Sequence, residues 1–283
     1  MWLGRAPDQL FAYSGGKHYF ADRQTIVFIH GAQHDHSVWI LQSRALAHRG
    51  YGVLALDLPG HGRSDGPPRT SVETIADALA AALAPLGAGE ILLVGHSLGS
   101  LIALELARRM ADTVKGVALL ATAFPMRVSD TLLAATRDEP EAAFDMINVW
   151  SHAPSIAPFA ARPGCPAPGF NIVWQNLRLM QRIARCNGKD VLPIDFHACN
   201  AYDNGQSAAM LLHCPALFVL GGADLMTPCR SAQALIDAIT TDKQVVVLPD
   251  AGHNLTAEDP DSVRRALEQF ARRVLGEPRR AAA

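Results

Sequence analysis

Six short apolar runs constrain the fold of this chain more than any other feature. They are TIVFIH (Thr25–His30), GVLALDL (Gly52–Leu58), EILLVGH (Glu90–His96), VKGVALLA (Val114–Ala121), PALFVLG (Pro215–Gly221) and KQVVVLP (Lys243–Pro249). Each has strand length, and most lack the apolar–polar alternation of a half-exposed strand. They read as strands buried on both faces. Helix-like segments lie between them at Ser71–Gly87, Ser97–Met110, Arg230–Ile239 and Pro260–Val274. Ser71 suits a helix N-cap and Gly87 a C-terminal stop. Strands alternating with helices predict an α/β fold, a mostly parallel sheet covered on both faces. Leu10–Ser14 and Lys17–Phe20, split by Gly15 and Gly16, predict an antiparallel hairpin at the sheet edge.

One segment breaks this rhythm. From Pro125 to Ser207 no buried strand is evident, and the segment carries Phe144, Met146, Trp150, Phe159, Trp174 and Met180 around a Pro-rich middle. It is too long for an ordinary loop, so it reads as a lid or a small separate domain. The chain has 283 residues, 49% hydrophobic and 18% charged, with a net charge of −2. That suits a globular protein with a large core and gives no footprint for a nucleic acid or an anionic membrane. The N-terminus lacks the pattern of a signal peptide, and no apolar run approaches a membrane span. The five cysteines, Cys165, Cys186, Cys199, Cys214 and Cys229, are scattered and form no C-x-x-C pair. Reduced thiols in a cytoplasmic protein are expected.

The chemistry is concentrated in GHSLG (Gly95–Gly99), a G-x-S-x-G motif placed directly after an apolar strand and directly before a helix. That context is what the motif requires. A tight turn needs small neighbours, supplied by Gly95 and Gly99, and lifts the Ser97 hydroxyl above the sheet. A free serine is a poor nucleophile and needs a base oriented by an acid. His253, in LPDAGHNL after the last strand, is placed to be the base. Asp224, in LGGADLMTP after the preceding strand, is placed to be the acid. The order Ser97, Asp224, His253 is the one this strand–turn–helix arrangement expects. Asp250 lies closer to His253 in sequence, but Asp224 sits at the carboxyl end of a strand, where catalytic groups gather in open α/β sheets.

A second stretch, HGAQHDHSVW, packs His30, His34 and His36 around Asp35 and raises the question of a metal centre. Its H-x-x-x-H-D-H spacing differs from the metallohydrolase form H-x-H-x-D-H.

HGAQ after a strand, DLPGHGRSD (Asp57–Asp65), GHSLG, GGADLMTP and AGHN occur in this order across nearly the whole chain. With them the sequence resembles the α/β-hydrolase superfamily, in its esterase- and lipase-like serine hydrolase branch. The resemblance implies a core of residues 1–124 and 208–283 around about eight strands, with a helical cap at 125–207 inserted after the sixth. It implies an oxyanion hole formed by the backbone N–H groups of Ala32 and Leu98, with His30 holding its loop. His34 and His36 then become loop or pocket-edge residues rather than ligands, with His34 a candidate substrate contact. His96, His61 and Asp57 are expected to be supports. Trp150, Phe159, Trp174 and Met226 are candidates for an acyl pocket, though each equally suits packing within the cap.

The expected mechanism is acyl transfer through Ser97, with His253 as base and Asp224 as its orienter, and hydrolysis of the acyl-enzyme by water. It calls for no cofactor and no metal. The expected partner is a small-molecule acyl substrate, and a homo-oligomer is left open. The resembling dehalogenases and epoxide hydrolases use an aspartate where this chain has Ser97. Ester hydrolysis is the leading reading. Hydrolysis of a C–C bond in a ring-cleavage product is the main rival. Lactonase, thioesterase, amidase and perhydrolase activities also fit the triad. A small-molecule receptor with negligible turnover is the reading from another class.

Overall fold

The computed structural model describes residues 1–155 and 172–278. Its eight strands form one sheet in the order β1-β2-β4-β3-β5-β6-β7-β8. They are β1 (Trp2–Leu3), β2 (Leu10–Tyr13), β3 (Thr25–Ile29), β4 (Gly52–Leu56), β5 (Ile91–His96), β6 (Val114–Leu120), β7 (Ala216–Gly221) and β8 (Lys243–Leu248). The six strands read from the apolar runs are parallel; β1 and β2 add an antiparallel edge.

Because side chains alternate along a strand, each of the five inner runs feeds two cores. Ile26 and Phe28 of β3 face a core with Trp39, Leu46, Leu267 and Phe270. Val27 and Ile29 face the opposite core with Ile75, Leu79, Leu101 and Ile102. The covering helices are α1 (Ile40–Arg49), α2 (Val72–Leu83) and α3 (Leu98–Arg109). Ser71 caps α2 as expected, in a reciprocal capping box with Thr74. Helices α4 (Asp130–Asp138), α5 (Pro140–Trp150), α6 (Ile172–Asn187), α7 (Val191–Ala201) and α8 (Gly205–Met210) fill the interval between β6 and β7. The first four share a small core of their own, built on Leu132, Phe144, Ile147, Met180, Leu192 and Phe196. Next come α9 (Gln233–Ala238), α10 (Leu255–Glu258) and α11 (Pro260–Leu275).

Two expectations change, and one helix is added. The Leu10–Ser14/Lys17–Phe20 hairpin does not form. One edge of β2 is taken by β1 and the other by β4, with Ala12 opposite Leu56, so none is left for residues 17–20. β8 is not buried on both faces: it pairs only with β7, and Val245 and Val247 are exposed on this outer strand. Helix α1 was not evident from sequence; it follows a single 3-10 turn capped by Asp35 and stops at Gly50, whose φ of 110° suits glycine. Among the described residues no helix is long and apolar enough to cross a membrane.

Candidate active site

Four loops leave the carboxyl ends of β3, β5, β7 and β8 and carry Ala32, Ser97, Asp224 and His253. In an open α/β sheet this edge is where ligands bind. Ser97 adopts φ 53° and ψ −122°, a backbone state that non-glycine residues rarely hold. The sequence makes room for it. A Cβ on Gly95 would overlap the Gly99 carbonyl oxygen, and one on Gly99 would overlap the Ile29 carbonyl oxygen. The Ser97 N–H donates to Leu120 O at 2.9 Å, tying the turn to β6.

His253 and Asp224 meet directly: the ring Nδ1 lies 2.9 Å from Asp224 Oδ2, and both residues are buried. The other carboxylate oxygen, Oδ1, accepts the N–H groups of Met226 and Thr227, each at 2.8 Å. Burial alone would push the Asp224 carboxyl up. The His253 charge, its hydrogen bond and the Thr227 donors outweigh it and hold the group at about 2. Asp224 is therefore ionised at neutral pH, and Nδ1 of His253 carries the proton between them. Ser97 and His253 line one cavity of about 370 Å³, together with Ala32, Met126, Leu132, Trp150, Phe196, Leu225, Met226 and Thr227. Its wall is largely apolar, with Arg127 and Ser129 also among the lining residues. The amides of Ala32 and Leu98 donate to no protein acceptor among the described residues. Leu98 is the first residue of α3, where N–H groups lack an intrahelical partner.

The His253 loop is held from three sides. His96 Nε2–H donates to His253 O at 2.8 Å, Gly252 N–H donates to Glu258 Oε2 at 2.9 Å, and Asn254 N–H donates to Ser151 O at 2.8 Å. Burial, then the neighbouring His253, push His96 down to about 3, so it stays a neutral donor. Thr227 Oγ1 lies 2.7 Å from Asp224 Oδ2 and 3.0 Å from His253 Nδ1. The sequence reading missed Thr227; its only local signal is a hydroxyl three residues after the acid.

The three histidines of HGAQHDHSVW do not converge. His30 Nδ1–H donates to Gly31 O at 2.8 Å and its Nε2 accepts the Leu58 N–H at 3.0 Å. His34 Nε2 bonds Asn176 Oδ1 at 2.9 Å, and His36 Nδ1 bonds Asp57 Oδ1 at 2.7 Å. The ligand-type atoms of Asp35, His36 and Asp57 come within 4.8 Å of one another. They already have protein partners: Ser37 and Arg182 donate to Asp35, and His36 and Arg63 donate to Asp57.

Of the candidate pocket residues, Trp150 and Met226 line the cavity, and His34 lines a smaller recess beside Ser97 and His253. Trp174 lies elsewhere on α6, its ring 4.1 Å from the Arg178 guanidinium, and lines neither space. Phe159 lies outside the described residues.

The sequence profile of the alpha/beta hydrolase family matches residues 26–266. A pimeloyl-[acyl-carrier protein] methyl ester esterase of Chromobacterium violaceum is 28% identical over 263 residues, covering 87% of this chain and 93% of that protein. The solved structure of a thermophilic esterase superposes with a TM-score of 0.77 at 24% identity, over 97% of each chain. An enol-lactonase from Burkholderia xenovorans superposes with a TM-score of 0.78 at 23% identity, over 95% of this chain and 99% of its own.

Proposed function

This chain belongs to the alpha/beta hydrolase family, and from that premise we propose that it is a serine hydrolase cleaving a carboxylic ester of small or medium size. The observation that carries the reading is the buried 2.9 Å contact between His253 Nδ1 and Asp224 Oδ2, beside the cavity that Ser97 also lines. With Nδ1 bound to an ionised carboxylate, Nε2 is the nitrogen free to take a proton. His253 removes the proton of Ser97 as its Oγ attacks the acyl carbonyl. The Ala32 and Leu98 N–H groups hold the oxyanion. His253 then protonates the leaving alcohol, and water activated by the same ring hydrolyses the acyl-enzyme. Preorganised donors of this kind contribute about 10²–10³ in rate each. The helices between β6 and β7 act as a cap over the site, and the apolar wall suits an acyl chain. The similarity to an esterase named for a methyl ester supports ester chemistry, and the lactonase shares the fold.

Hydrolysis of p-nitrophenyl esters from acetate to laurate, by wild type and Ser97→Ala, tests the reading. Turnover should be lost in Ser97→Ala by roughly 10³-fold or more while the variant stays folded. The chain-length optimum then sizes the cavity. Turnover retained without Ser97, or none from folded wild type, would overturn the ester assignment.

A further inference from the structure

The loop that carries Ala32 is strapped down by the inserted helices rather than by the sheet alone. The Gln33 N–H donates to Asp195 Oδ2 of α7 at 2.8 Å, and Gln33 Nε2 donates to Met180 O of α6 at 3.0 Å. His34 bonds Asn176 and Asp35 pairs with Arg182, both on α6. Three consecutive residues are thus held from across the site. Gln33 is fully buried and holds φ 56°, a conformation that needs outside support in a side chain of this size.

Asp195 is 1% exposed. Its Oδ2 also lies 2.9 Å from His61 Nε2, while His61 Nδ1 lies 3.0 Å from Pro59 O. The Pro59 carbonyl can only accept, so His61 Nδ1 carries a proton and Nε2 is the nitrogen that faces Asp195. The same Oδ2 thus faces the Gln33 N–H and the His61 ring at once, so Asp195 ties the loop after β3 to the loop after β4.

We propose that Asp195 is a positioning residue that sets the oxyanion hole: by fixing the Ala32–Gln33 peptide plane it couples docking of the inserted helices to catalysis. The proposal rests on the reading of Ala32 as an oxyanion donor. The peptide unit is rigid, so a bond to the Gln33 N–H fixes the rotation that follows Ala32. Without it the rotation after Ala32 is released, and its compensation in the adjoining Gly31–Ala32 unit, which carries the Ala32 N–H, moves that amide off its line to the oxyanion. Asp195 touches no reacting atom, so its removal should lower the rate of steps that build an oxyanion and leave ground-state binding largely intact.

The test is phosphonylation by a fluorophosphonate. Ser97 Oγ bonds to phosphorus, the P–F bond breaks, fluoride leaves, and the serine proton passes to His253. The phosphoryl oxygen occupies the oxyanion position. Asp195→Ala should slow this reaction by about 10–100-fold, a fraction of the loss of a whole donor. In ester turnover kcat should fall in parallel, with KM changed less than about threefold. Asp195→Asn retains a carbonyl oxygen that can accept the Gln33 N–H and should recover most of the rate. If Asp195→Ala does not fold, the double variant Asp195→Leu/His61→Leu, which replaces the buried polar pair by apolar volume, should give the same slow reaction. A folded Asp195→Ala that reacts within about twofold of wild type, or that changes KM alone, overturns this proposal. Labelling that does not need Ser97 overturns the parent reading and this proposal with it. Labelling that needs Ser97 but ignores Asp195 overturns this proposal alone.

Discussion

Thr227 Oγ1 lies within hydrogen-bond reach of Asp224 Oδ2, His253 Nδ1 and Ala121 O, at 2.7, 3.0 and 3.0 Å. One hydroxyl has one proton, so it donates to the carboxylate or to the carbonyl and accepts from the histidine. In either arrangement it fixes the plane in which the carboxylate meets the ring. Thr227→Val keeps the shape and removes the hydroxyl. It should destabilise the fold by about 1 kcal/mol and lower kcat by about 3–10-fold with KM unchanged, as for a group that acts by orienting others. Denaturant unfolding and ester kinetics check the two halves separately. An unchanged kcat would leave Thr227 with packing alone. Asp224 and His253 were legible because strand order told where to look. Thr227 was not, because a threonine near an acid is common and only the fold aims it at the ring.

At the scale of elements, the apolar runs were legible because burial on two faces leaves no polar alternation. The edges were harder: β8 keeps an unbroken apolar run from Val245 to Leu248 yet lies outermost, and only pairing decides which strand that is. Helix α1 follows a 3-10 turn and has no side-chain cap of its own, so its start left little signal. Contacts such as Gln33 to Asp195 span 162 positions, which no local pattern encodes. The same holds for Glu258 on α10. Its Oε2 accepts the N–H groups of Gly252 and Ala153, at 2.9 and 3.1 Å, and so joins the His253 loop to the segment after α5. No side chain fits at Gly252, where a Cβ would lie 2.5 Å from Ala153 N, so the two segments are pressed together. Glu258→Ala should leave two buried N–H groups unpaired, at about 1–3 kcal/mol for each. Its thermal midpoint should fall, and kcat should fall with it as His253 loses its anchor. A variant that melts lower yet keeps full kcat would show that the loop holds its geometry without Glu258.

Across the whole molecule the buried histidines fix how stability responds to pH. Burial is the leading cause that lowers His30, His34, His96 and His152, the last two to about 3 and about 4. Above their ordinary value of 6.5 these rings are neutral whether the chain is folded or not. Below it the unfolded chain takes up protons that the native protein refuses, so stability is lost as pH falls toward the native values. Each such ring contributes a slope of about 1.4 kcal/mol per pH unit in that window. His61 runs the other way. Burial lowers it, but the Asp195 charge and hydrogen bond outweigh burial and raise it. Its contribution is whole below 6.5 and fades as pH rises through the raised value. The four lowered rings outnumber His61, so stability falls on the acid side of 6.5, and His61 alone among these five works against stability on the alkaline side. Asp224 adds a second acid stage: its native value of about 2 lies below the ordinary 3.8, so its contribution is lost between them. From pH 6.5 to 5, His96 and His152 alone should remove about 3 kcal/mol, a large share of the stability of an ordinary domain. Urea unfolding at pH 8, 6.5 and 5 measures this directly. His96→Gln, which keeps an amide donor for the His253 carbonyl, should reduce the acid slope by about one proton. A midpoint that stays level from pH 6.5 to 5 would mean that these rings take up protons within the native fold. The neutral, donating His96 on which the His253 loop rests would then be the wrong protonation state.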